Sequence, residues 1–130
     1  MIARATQAQT NHDWMVLQVA QEYARQGHRS IRADHPQHLS LRPAQIGDHI
    51  PDVTSVHPTQ NIPIICEVET ADSIGTDHTK SQLLTFRQAA TRLGGVLHVG
   101  LPFKSDLAVA QATTNGWGIT VDYWWYGVER

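Results

Sequence analysis

The chain has no means of forming a disulfide within itself, since Cys66 is its only cysteine. A reducing compartment suits such a sequence, and the cytoplasm is the expected location. Long apolar runs are missing too. No stretch approaches a membrane span, and the N-terminus has neither the basic start nor the apolar run of a signal peptide. Charge is sparse: 17% of residues are charged and the net charge is −2 with histidines neutral. That argues against a protein coating nucleic acid by bulk charge, which needs a basic excess. It leaves room for one that grips phosphates through metal ions, because such a site brings carboxylates of its own. No glycine-rich phosphate loop precedes a helix, and no nucleophile-elbow pattern marks a serine hydrolase.

What is present suffices for one core. Apolar side chains make up 41% of 130 residues, and a chain of this length builds a single domain. Residues 1–10 are polar and read as a loose tail. Asn11, His12 or Asp13 can cap a first helix that carries Trp14, Leu17, Tyr23 and Ala24 on one side and stops at Gly27. A short strand over 28–34 precedes an irregular stretch in which Leu39 and Leu41 alternate. Val53 to Val56 and Ile62 to Thr70 read as a β-hairpin around the turn residues Pro58 to Asn61. Helical spacing of Leu83, Phe86, Ala90 and Leu93 marks a second helix, ended by Gly94-Gly95. Val96 to Leu101 is an inner strand broken by Pro102. Ser105 caps a third helix, Asn115-Gly116 turns the chain, and Ile119 to Tyr126 is the last strand. These elements predict an α/β fold with a mixed sheet flanked by helices.

The acids of the hairpin carry the chemistry. Alternation along a strand puts Ile65, Glu67 and Glu69 on one face and Ile64, Cys66 and Val68 on the other. With a four-residue loop, His57 faces Ile62 and Asp52 falls opposite Glu67, on the same face. Alternating acids often mark no more than a wet face, but Ile62 to Val68 is too apolar for that. Three carboxylates converging on one patch repel and raise each other's pKa. Mg²⁺ or Mn²⁺ relieves the repulsion, since hard cations favour oxygen ligands.

Ile50-Pro51-Asp52-Val53 followed by Glu67-Val68-Glu69, with fourteen residues between Asp52 and Glu67, resembles the PD…(D/E)XK signature of restriction-enzyme and resolvase-type nucleases. Pro51, Asp52 and Glu67 match it letter for letter. The resemblance spans roughly Trp14 to Tyr126 in element order. It implies a restriction-endonuclease-like core with a central mixed sheet of four to five strands, a metal on Asp52 and Glu67, and metal-dependent DNA endonuclease activity. Glu22 stands where some members place a further acid. Where the family carries lysine, this chain has Glu69, which can serve as ligand or general base. Alternatively, Lys80 relocates from the second helix, where His78 and Gln82 share a face.

Two other readings stand beside this one: a nuclease-like fold that has lost catalysis and binds a partner, such as a subunit of a recombination or mobile-element system, or a small domain with no nucleic-acid role. His35-Pro-Gln-His38 has metal-like spacing but reads as solvated histidines. The run Tyr123-Trp124-Trp125-Tyr126 reads as core plus the seam of a homodimer.

Overall fold

A computed structural model describes residues 6–38 and 40–130. Residues 1–5 of the expected tail, and Leu39, lie outside the described residues. Three helices and five strands follow in the order α1 (Thr6–Arg25), β1 (Arg29–Ala33), β2 (Val53–Val56), β3 (Pro63–Val68), α2 (Asp77–Arg92), β4 (Val96–Phe103), α3 (Leu107–Gly116) and β5 (Tyr123–Val128). The strands lie side by side in chain order. β1, β2 and β3 are antiparallel neighbours, whereas β3, β4 and β5 run parallel. The fold is therefore α/β with a five-stranded mixed sheet flanked by helices.

The alternation in β3 divides the core in two. Ile64, Cys66 and Val68 pack with Val53 against Met15, Val16, Val19, Ala20 and Tyr23 of α1. Ile65, on the other face, packs with Leu97 and Val99 against Leu83, Phe86, Ala89 and Ala90 of α2. The hairpin forms in the expected register: Val53 pairs with Cys66, and His57 N–H donates to Ile62 O at 2.9 Å. Thr76 caps α2, its side chain accepting from Thr79 N–H at 3.2 Å.

Several expected boundaries move, each for a local reason. α1 starts at Thr6, not at a cap on Asn11 to Asp13. Its first turns are tied at i,i+4 spacing by Gln7 to Asn11, Gln9 to Asp13 and the Thr10 hydroxyl to Thr6 O. Residues 6–10 are thus helix and not a loose tail. Trp14 is 39% exposed, because the buried stripe runs one position later; its ring lies over Gly127, where a Cβ would meet it at 2.4 Å. β4 passes through Pro102 to Phe103. Its pairing with β3 ends at Gly100, so the missing proline N–H denies β3 nothing. α3 begins after a 3-10 turn over Lys104–Asp106 and continues through Asn115-Gly116. The chain reverses later, at Gly118 with φ +70°, and β5 starts four residues beyond Ile119, which is buried against α2's core. His35 is buried, not solvated, its Nδ1 accepting from Gln37 N–H at 3.0 Å.

Candidate functional site

Asp52 stands just before β2 and Glu67 near the end of β3, brought opposite each other by the hairpin register. Each acid completes the other strand's backbone. Asp52 N–H donates to Glu67 Oε1 at 3.1 Å, and Val68 N–H donates to Asp52 Oδ2 at 2.8 Å. Both side chains are withdrawn from water, with Asp52 8% and Glu67 3% exposed. Burial pushes Glu67 well above its ordinary pKa, and the charges of Asp52 and Glu69 push it further. Burial also works to raise Asp52, yet hydrogen bonding and charge from His12, with bonds from Glu67 and Val68, bring it below its usual range. Burial and like charge thus favour the protonated form of Glu67, while the bonds and charge around Asp52 favour its ionised form.

Glu69 lies on the α2 side of the sheet and is 1% exposed. Its Oε1 accepts from Thr79 Oγ1 at 2.7 Å and from Ser73 Oγ at 2.8 Å. Its charge reaches Glu67, but its carboxylate is directed to these hydroxyls. A single metal site on Asp52, Glu67 and Glu69 is the expectation from sequence, but the three carboxylates do not form one. No cluster of three or more His, Cys, Asp or Glu side chains among the described residues is arranged to hold an ion. The Asp52–Glu67 pair by itself fits the chemistry of Mg²⁺, which is held by one or two carboxylates and keeps several waters. An ion there would relieve the like-charge repulsion between the two carboxyls.

Lys80 is exposed. It follows Thr79, whose hydroxyl meets Glu69, and its side chain leaves the helix about 100° further round. Gln82 is half-buried, and the His78 ring lies 5.6 Å from that of His49. Glu22 is ten residues along α1 from the acids' neighbour His12, about 15 Å away. There it bonds Arg25, and Gln26 at 3.1 Å.

His12 is the residue that the sequence reading missed as a site member. Its Nε2 lies 3.2 Å from Asp52 Oδ2 and its Nδ1 lies 3.1 Å from Asp13 Oδ1. The signal was helical: extending the stripe Met15, Val16, Val19 back by three residues puts His12 on the face that meets the sheet. Compared with known proteins, the chain matches no family model, no curated protein and no solved structure. No helix among the described residues is long and apolar enough to cross a membrane.

Proposed function

We propose that the chain is a divalent-metal-dependent endonuclease of the restriction-endonuclease-like class, hydrolysing phosphodiester bonds of DNA as a cytoplasmic homodimer. One observation carries this reading: two carboxyl groups from adjacent strands are buried side by side, Glu67 accepting Asp52 N–H and Asp52 accepting Val68 N–H, where a fold selected for stability alone would place opposite charges or apolar groups. The order of elements supports it, a helix, an antiparallel three-strand unit, a crossover helix and a parallel strand, with the acids at the end where β2 enters and β3 leaves. Asp52 and Glu67 would hold the Mg²⁺ or Mn²⁺. The ion would supply a Lewis acid and a water of lowered pKa. Glu69, held by Ser73 and Thr79, is the acid positioned to take up a proton in the lysine's place. His12 orients Asp52.

The tight tethering of Glu69 Oε1 by two hydroxyls favours a second reading, in which the same fold binds DNA or a partner without cutting. Incubation with single-stranded, duplex, branched and flapped DNA in Mg²⁺ and in Mn²⁺ separates the two. Cleavage lost in Asp52→Asn and in Glu67→Gln is the expected result. Binding without cleavage in either metal would select the partner module, and cleavage unchanged in Asp52→Asn would remove the site altogether.

A further inference from the structure

The two edges of the sheet are built on opposite plans. β1 is guarded: its register slips between Arg29 and Arg32, Ser30 adopts φ +53°, and the two arginines bring charge. Bulges and charges of this kind keep another strand from adding. β5 carries none of these devices. Tyr123-Trp124-Trp125-Tyr126-Gly127-Val128 has no charge, no proline and no register shift against β4. Among the described residues, no strand pairs with its outer side. Exposed apolar side chains collect there as well. Tyr123, Tyr126, Val128 and Trp14, which packs on Gly127, are 37–51% exposed. Scattered apolar residues on a surface are ordinary, but a row of them along one unpaired strand marks an interaction site.

We infer that β5 is the contact between two copies of this chain, pairing antiparallel across a two-fold axis to make one continuous sheet. The inference deepens the homodimer part of the function proposed above and is independent of its chemistry. A second copy is the occupant that the strand itself specifies. In antiparallel pairing, directly opposed residues both turn their N–H and C=O toward the partner or both away, and these orientations alternate along a strand. A strand pairing with its own copy therefore matches residues of equal parity. This rule forbids the one register that would set Asp122 against the partner's Glu129. Centred on Trp125, the pairing sets Trp124 against the partner's Tyr126 and Trp125 against the partner's Trp125. Every pair from Tyr123 to Gly127 is then uncharged and aromatic rings face one another. A two-fold contact of this sort closes on itself, whereas pairing β5 with β1 of the next copy would run on as a filament and would bring the guarded edge into play.

Sedimentation of the full chain across the micromolar range, with Tyr123→Lys and Tyr126→Lys, provides the test. Tyr123 also touches Trp125 and Tyr126 lies under Lys104, so native circular dichroism is confirmed for each variant before its association is read. The expected result is a dimer whose dissociation constant each lysine weakens by about tenfold or more. Val109→Lys, also exposed but on α3, leaves the dimer unchanged. Amide hydrogen exchange in β5 also slows as concentration rises. A wild-type chain that stays monomeric overturns both this inference and the homodimer reading. A dimer that withstands both edge lysines overturns the β5 contact alone.

Discussion

The acids before β2 and at the end of β3 can be compared with the histidine cluster around Tyr23, which starts at the other end of β2 with His28 and Ser55 and reaches across the sheet to His98 and Trp125. Both groups bury polar side chains in a small domain, and among the described residues no buried side-chain nitrogen or oxygen lacks a hydrogen-bond partner. At the histidine end, donors and acceptors complement one another. Tyr23 OH lies 2.7 Å from His98 Nδ1, and Trp125 Nε1–H donates to that nitrogen at 3.1 Å. Tyr23 stacks on His28 at 4.5 Å between centroids, and His28 Nδ1 meets Ser55 Oγ at 2.9 Å. Burial lowers His98 to a pKa of about 4 and lowers His28 too, so this end stays neutral. At the acid end two carboxyls stand together with one histidine, His12, beside them. Equal burial thus has two outcomes: complementary groups lock packing, whereas like groups held together shift each other's titration.

Substitutions can break that contrast. The largest effect falls at the acid end and on activity: Asp52→Asn and Glu67→Gln should each lower cleavage by about a thousandfold or more, each weakening one of the two oxygen ligands. Stability should not follow. In Glu67→Gln the amide still accepts Asp52 N–H and replaces a carboxyl whose neutral form burial already favours, so without divalent metal the fold should change by less than about 1 kcal/mol by urea unfolding. The histidine end should behave in reverse. His98→Ala strands the Tyr23 hydroxyl and the Trp125 indole N–H in the core, a loss of about 3 kcal/mol with cleavage little changed. If Glu67→Gln cost as much stability as His98→Ala, the acid pair would be structural and the contrast would vanish.

How far each end was legible in the sequence follows from the range of its contacts. The Asp52–Glu67 opposition depends on one short hairpin, and turn residues plus strand alternation determine its register. The two faces of β3 were readable for the same reason. His12 was not, because its partner is forty positions away and the helix start could not be read from Thr6 to Asn11, whose caps are side-chain bonds within polar sequence. The histidine end was illegible too. Tyr23, His28, His57, His98 and Trp125 come from five separate segments, and only the completed sheet makes them neighbours. The strand through Pro102 failed on a rule that holds for central strands and lapses where a neighbour has ended.

The histidine end also contributes to the pH response, with a sign opposite to that of Glu67, whose raised pKa favours the folded chain as pH falls. His98 has a native pKa near 4 against 6.5 for the free side chain, so above pH 6.5 it is neutral folded and unfolded and its contribution is complete. As pH falls from 6.5 toward 4, the unfolded chain takes up a proton that the native state refuses, and the contribution of His98 to stability declines by about 3 kcal/mol. Urea midpoints at pH 7, 5 and 4 measure the decline. His98→Gln, which can still accept from Tyr23 and Trp125, should flatten it. A profile unchanged in that variant would assign the acid sensitivity elsewhere.

The smallest effect concerns the lysine that the family pattern leads one to seek. Lys80 is exposed on α2, one position after the threonine that holds Glu69. To act on a water at Asp52 and Glu67, its ammonium would have to fold back past Thr79 into a region where the carboxylates are nearly closed from solvent. Glu69 is already in that region and its charge already bears on Glu67. Lys80→Ala should therefore leave the rate of cleavage within about twofold, as expected for an exposed helix residue. Glu69→Gln should lower it by about a hundredfold or more, as for loss of a general base. Thr79→Val, which removes one hydroxyl from Glu69, should fall between them. The opposite order, a severe Lys80→Ala beside a mild Glu69→Gln, would return the lysine's role to Lys80 and make Glu69 a packing residue of the α2 interface.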